Sequence, residues 1–372
     1  MTESMLISGM LLILILMHRG KISPAFVEAQ IILLILNLVF IAIIILYFVS
    51  RVEHSILPQF AWLVEAVYGW LWIAAFVSVW LGTRINRRWL RIAQGTIGLL
   101  LLTVLITVLL HAAGYLPYPW VQVYTFRGYH RPHGLLTSPL EAGLMALIGW
   151  AWGLYWALQS DFRRFAGLFL TGFSTAIVYL TLSRSAWFGL GLAVIGGLLF
   201  ALHQKRFWLP IGLTIGIFIV CSIELPIGWQ RSIYAAQGDP SVLTRLTGWQ
   251  GVATTLLRYP FGVPDQLSAI EPPGTLTLPG AALNFYLEIA LAFGIVPLLL
   301  TGIIFSMLLA RAWWLGSRGL PEAAWGLGTI ATAVAVLFTY PSVLVSIPLG
   351  GLWGMVSAME VKPDAPPRLY HD

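Results

Sequence analysis

Charge is scarce in this 372-residue chain: charged residues make up 10% of it, against 59% hydrophobic ones. With a mean hydropathy of +0.85, that balance excludes a soluble globular domain. Cysteine is nearly absent. The single Cys221 lies inside an apolar run, so no intramolecular disulfide can form and the redox compartment stays open. Motifs of soluble enzymes are missing too, with no glycine-rich phosphate loop, no paired-cysteine zinc site and no His-Glu-x-x-His helix. The net charge of +6 does not imply a nucleic-acid partner. In a membrane chain the placement of Lys and Arg carries more information than their sum.

What is present is apolar sequence in lengths that suit a bilayer, about 20 residues per helix. Such runs fall at 28–49, 60–81, 93–113, 139–158, 165–182, 185–202, 207–223, 281–310 and 322–340. Two further runs are weaker: Met5 to Met17 is short, and 342–358 contains Pro348, Gly350 and Gly351. No positive charge precedes the first run, whereas Arg19 and Lys21 follow it, unlike a cleaved signal. The fold class is an all-α polytopic membrane protein of about eleven transmembrane helices, in one membrane domain over 1–360. The 17 Trp and 13 Tyr suit aromatic belts at the two interfaces, in contact with membrane lipids.

Orientation follows from the basic residues. With Arg19 and Lys21 inside and the side alternating after each span, 14 of the 21 basic residues fall inside, Arg163, Arg164, Lys205 and Arg206 among them. The outer seven are all arginine: Arg51, Arg127, Arg131, Arg184, Arg231, Arg245 and Arg258. The long passage 224–280, between the helices ending near 223 and starting near 281, is then external, as is Gly114 to Ser138. Residues 361–372 form a short, disordered cytoplasmic tail. The long loop holds Trp229, Tyr234, Trp249, Tyr259 and Phe261, aromatics that disordered segments generally lack. Within it, Val242, Leu246, Trp249, Ala253 and Leu256 recur at helical spacing and predict an amphipathic helix over 241–257. Arg245 and Arg258 lie at its polar flanks.

The chemistry gathers on the outer side. Guanidinium suits bidentate phosphate or carboxylate contacts, so an all-arginine face points to an anion. Arg184 is the sharpest case, set in the break Leu182-Ser183-Arg184-Ser185-Ala186-Trp187 between two apolar runs. A charge there needs a partner, which a phosphate, Glu141 or Glu288 would supply. Glu65, Glu141 and Glu288 all fall near outer helix ends, where an ionisable group is a functional candidate, or a structural partner for the arginines. His130 and His133 flank Arg131-Pro132 with no carboxylate nearby, so a metal is not expected. Either imidazole suits a general base or a hydrogen-bond donor. No mid-membrane polar path of the kind transporters use is evident.

These residues resemble the O-antigen ligase and polymerase family of bacterial membrane proteins. Ser183-Arg184-Ser185-Ala186-Trp187 looks like its serine-arginine signature. Arg131 to Ala142, the series Arg245, Trp249, Ala253, Pro260 to Val263, and Leu283-Asn284-Phe285-Tyr286-Leu287-Glu288 are similar to further family segments in the same order. The resemblance spans about Arg131 to Pro297. It implies a glycosyltransferase-type ligase of the bacterial inner (plasma) membrane, acting on its external face and without a metal or other cofactor. Its partners would be a polyprenyl-diphosphate-linked glycan and a glycolipid or other acceptor. Arg184 and Arg245 would hold the diphosphate, with Arg131, Arg258, Glu141 and Asn284 completing the substrate site. One position departs: Leu283 stands where the family has histidine. Leucine moves no proton, so Glu288, His130 or His133 replaces it in catalysis. Otherwise the chain is a non-catalytic relative that binds or transports an anion or lipid-linked sugar, or a structural subunit of a membrane complex.

Overall fold

A helix that is apolar on every side belongs at the centre of a bundle, and residues 139–158 have that pattern. The computed structural model describes residues 87–116, 124–126, 129–136, 138–159, 163–236, 240–260, 284, 286–287, 290–291, 294–338 and 343–358. Spans expected at 28–49 and 60–81, the Met5 to Met17 run, Glu65, Glu288 and the tail 361–372 lie outside those residues. Ten α-helices are described: α1 (Arg87–Ala112), α2 (Pro139–Ala157), α3 (Arg163–Leu180), α4 (Arg184–His203), α5 (Trp208–Glu224), α6 (Ile227–Ala236), α7 (Pro240–Arg258), α8 (Ile295–Ser317), α9 (Ala323–Ala335) and α10 (Val343–Ala358).

Helix α2 occupies the centre, with most of its length buried on all sides. It packs chiefly on α3, then on α9 and α1, while α4 and α10 close the remaining flank. Its start is well specified. Ser138 caps it by accepting from the Glu141 backbone N–H at 3.4 Å, and Pro139 takes the first turn, where its missing N–H costs nothing. The α2–α3 crossing is closed by small residues. A Cβ on Gly153 would lie 2.5 Å from the Thr171 backbone nitrogen, so only glycine permits this approach. Buried Trp150 donates to Thr214 Oγ1 at 2.9 Å and ties α2 to α5.

The outside of the bundle is apolar as well. Leu99, Leu102, Ile106 and Leu109 form an exposed stripe on α1, as do Leu299, Ile303 and Met307 on α8. Water-soluble proteins rarely expose continuous apolar faces of that kind, whereas lipid tails solvate them. Among the described residues, two stretches are long and apolar enough to cross a bilayer, Arg184–His203 and Lys205–Glu224.

Most expected helices appear within a few residues of their sequence bounds. Four differences are physical. The run 281–310 is not one helix: Gly294, at φ 92°, breaks it, and α8 starts at Ile295 and continues to Ser317. The run 342–358 is less broken than its Pro348 suggests, because α10 passes through that proline. Helix α6 was not expected. Nor was a short antiparallel hairpin, β1 (Thr125–Phe126) with β2 (Tyr129–His130), which puts a little strand into an otherwise helical chain.

Candidate functional site

The break between α3 and α4 turns the chain within three residues, and it does so under strain. Leu182 sits at φ 49°, the left-handed region that branched side chains avoid, at a cost of about 1–3 kcal/mol. Such conformations persist where surrounding structure over-determines them, and here it does. Ser183 caps α4 by accepting from the Ala186 N–H at 3.4 Å, and its hydroxyl pairs with that of Ser185 at 3.0 Å. Both serines of the signature are therefore buried, structural hydroxyls. Arg184 opens α4, half-buried, where the helix dipole disfavours a cation and favours a nearby anion.

The carbonyls that α3 leaves unpaired at its end each receive a donor from elsewhere. Trp187 Nε1 donates to Val178 O at 2.9 Å, Tyr129 Oη to Leu180 O at 3.3 Å, and Arg131 Nε to Thr181 O at 3.0 Å. The last two come from the hairpin some fifty residues upstream. Burial, with Tyr179 and Cys221 adding to it, pushes the Tyr129 phenol up to about 12, so it remains a neutral donor. Arg131 thus enters the break from the loop side, three residues before Arg184.

Beneath the break lies a rigid aromatic floor. Tyr179 stacks on Trp187 at 5.0 Å between centroids, and Phe218 meets both edge-on. Tyr179 Oη donates to Leu225 O at 2.6 Å. Helix α6 follows directly, with Gly228 pressed against Trp187 and Tyr179, and one turn on Arg231 lies over the Phe126 ring at 5.1 Å. Helix α2 arrives at the same end. A Cβ on Gly143 would lie 3.1 Å from that of Ser183, and Glu141 is buried in the turn just before.

The expected site residues therefore divide. Arg131 reaches the α3–α4 break through Thr181 O, Arg184 opens α4 at that break, and Glu141 lies two residues before Gly143, which packs on Ser183; Arg231, one of the outer arginines, is carried by α6, whose Gly228 packs on Trp187. His133 lies on the same loop as Arg131 but is buried at 2% exposure, its Nδ1 engaged with Leu136 O at 2.6 Å. His130 is exposed on β2, and strand alternation sends it to the face opposite Tyr129 and Arg131. Asn284 is a helix cap, its Oδ1 accepting from the Tyr286 and Leu287 N–H groups at 3.0 and 3.2 Å. Glu288 lies outside the described residues.

Helix α7 has close to the expected bounds. Val252 and Thr255 are buried, with Trp249 and Leu256 packed beside them against Leu287 and Leu291, while Ala253 faces out. Of the expected stripe Trp249 and Leu256 pack inward, whereas Ala253 is exposed and Val252 is buried beside it. Arg245 belongs to α7, and its side chain, like those of Val242 and Leu246, lies outside what the structure describes. Arg258 is exposed in the last turn. Among the described residues, no three His, Cys, Asp or Glu side chains gather as metal ligands.

Helices girdled by apolar side chains mark a bundle of membrane-protein type, with Arg131 bonded to a buried helix break from which α4 starts at Arg184. Residues 167–302 match the family model described as O-antigen ligase. The match runs from α3 through the break, α4 to α7 and into α8, and it begins after Arg131 and Glu141. No curated protein matches the chain.

Proposed function

We propose that this protein is a membrane glycan ligase that moves a glycan from a polyprenyl-diphosphate carrier to an acceptor on the external side of the inner membrane. The α3–α4 break is the diphosphate seat. The observation that carries this reading is the Arg131 Nε bond to Thr181 O, which brings a second guanidinium to the turn bearing Arg184. The acceptor hydroxyl attacks the anomeric carbon, and the bond from that carbon to the diphosphate oxygen breaks. Charge then builds on the departing diphosphate. Guanidinium groups already fixed around it stabilise that charge without reorganising, the usual source of the largest catalytic term. The lipid-facing girdle keeps the polyprenyl tail in the bilayer while the headgroup reaches the break.

The acceptor proton needs a base. His133 is buried at 2% exposure, shut off from an acceptor, and His130 faces away from Arg131, which leaves Glu288 as the residue in that role. It follows Leu283, the position of the missing family histidine, by little more than one helical turn.

The test is release of polyprenyl diphosphate by the full chain in nanodiscs. Arg184→Ala is expected to lower turnover roughly 10²–10³-fold, as for loss of one fixed charge stabiliser. Arg184→Lys restores part of it, because lysine keeps the charge and loses the fork. Arg51→Ala, far from these motifs, changes little. Intact turnover with reduced folded yield in Arg184→Ala would make this arginine a structural partner of Glu141. A second reading, binding without transfer, is favoured by Leu283; tight polyprenyl-diphosphate binding with no release from a bound glycan donor would select it.

A further inference from the structure

The loop that delivers Arg131 is fastened to α1 by a residue that the family match does not cover. His111, in the last turn of α1, accepts at Nδ1 from the backbone N–H of His133 at 3.1 Å and of Gly134 at 3.3 Å. Two donors on one ring nitrogen require its lone pair, so His111 is neutral with its proton on Nε2. His133 holds the opposite tautomer, because its Nδ1 faces a carbonyl, which only accepts. The two rings meet edge-on at 4.7 Å, and Tyr124 closes the far side of His133 at 5.3 Å.

The loop has no slack at this point. Gly134 stands at φ 62°, and a Cβ there would lie 2.5 Å from Thr107 Oγ1 and 2.7 Å from the Val108 nitrogen. Three residues upstream, the Arg131 N–H donates to Tyr124 O at 2.8 Å while its Nε holds Thr181 O. The loop is thus fixed to α1 at one end and to the α3–α4 break at the other.

We propose that His111 is a positioning residue: its neutral imidazole clamps the 131–136 loop to α1 and so holds Arg131 at the diphosphate seat. Its effect on transfer rests on the function proposed above; the clamp itself does not. Protonation of His111 removes the acceptor from both amides and sets a cation against the loop. Among the described residues the titratable groups facing it are His133 and His130, with Tyr124 beyond His133. Helix α1 offers none over 101–110, and the first half of α2 only Glu141. The clamp therefore opens with acidification, and Arg131 loses its fixed approach.

Hydrogen exchange of the 133 and 134 amides tests this in the full chain in nanodiscs, between pH 3 and 8 and corrected for intrinsic rates. His111→Phe is expected to accelerate exchange roughly ten- to hundredfold at neutral pH, the equivalent of two neutral hydrogen bonds. His111→Asn places an amide oxygen where Nδ1 was, restores most of the protection, and keeps it at pH 3, where the wild type loses it. In the same samples the KM for the polyprenyl-diphosphate donor rises more than kcat falls in His111→Phe, and His111→Asn rescues it. Equal protection in wild type and His111→Phe would overturn the clamp, as would one shared pH profile for wild type and His111→Asn. Should His111→Phe not fold, the Asn comparison decides alone. Loss of the clamp with unchanged donor KM would overturn the positioning role. A wild type that releases no polyprenyl diphosphate sinks the proposed function instead, and exchange still judges the clamp.

Discussion

Replacing Arg131 with alanine removes a backbone fastening and a positive charge together, and the two effects can be separated. Its Nε donates to Thr181 O at 3.0 Å in a buried setting. A hydrogen bond from a charged donor contributes about 1.5–3 kcal/mol, and the stranded carbonyl adds to the loss. Arg131→Ala should therefore lower the melting temperature in detergent, whatever the protein does. The functional term comes from a cycle with Arg184→Ala. If each single change lowers kcat/KM about 100-fold, independent sites would give about 10⁴-fold in the double variant, since each decade is about 1.4 kcal/mol. Two arginines that meet at one turn and hold one leaving group should not add in that way. The double variant is expected to fall about tenfold or more short of that product, a coupling within the 0.5–3 kcal/mol common for residues in one network. Rates are normalised to the folded fraction from size-exclusion chromatography. A double variant equal to the product of the singles would place the two arginines at separate sites. Wild-type turnover in Arg131→Ala would remove it from the seat altogether.

Two further outcomes are expected. Gly153→Val drives a branched side chain into the Thr171 backbone at the α2–α3 crossing; overpacking of this kind costs about 1–3 kcal/mol and more where backbone must move, so folded yield should fall. An unchanged melt would mean that α2 and α3 sit farther apart. In a Cys221→Ser background, single cysteines at Gln237 and Gln204 should label from opposite sides of the membrane, as the 14-to-7 partition of basic residues requires. Labelling from one side would remove the external assignment of the long loop, and with it the external face of the proposed reaction.

The bundle was legible because lipid and core select for the same property. Helix α2 reads as a continuous apolar run since it is buried all round, and Ser138, Pro139 and Glu141 mark its start in the sequence. Helix α7 was legible in extent and only in part in the face it buries, since Trp249 and Leu256 pack inward while Ala253 does not. Its apolar residues occupy more than one face, with Leu257 84% exposed and Val252 buried, so spacing alone could not say which of them meets Leu287 and Leu291. Gly294 shows the converse. One glycine at positive φ ended a run whose composition gave no reason to stop.

At the site, the sequence marked charges, and the structure assembles them through groups that carry no sequence signal. Arg184 stood out because a lone guanidinium in an apolar run is costly. The reason Arg131 joins it is the Thr181 carbonyl, a backbone acceptor that every residue type possesses. Tyr129 and Trp187 find α3 in the same way, through Leu180 and Val178. A helix that ends inside a bundle must have its last carbonyls satisfied by donors from other segments. Those donors reveal themselves only once the chain is folded. The same logic applies to His111, which carries no motif in the sequence. Its partners are the amides of His133 and Gly134, and at Gly134 the loop presses so closely on α1 that a Cβ would clash with Thr107 and Val108. Donors that must satisfy a broken helix are also the ones that fix where its charges point, so the strain at Leu182 and the arginines beside it are two parts of one arrangement.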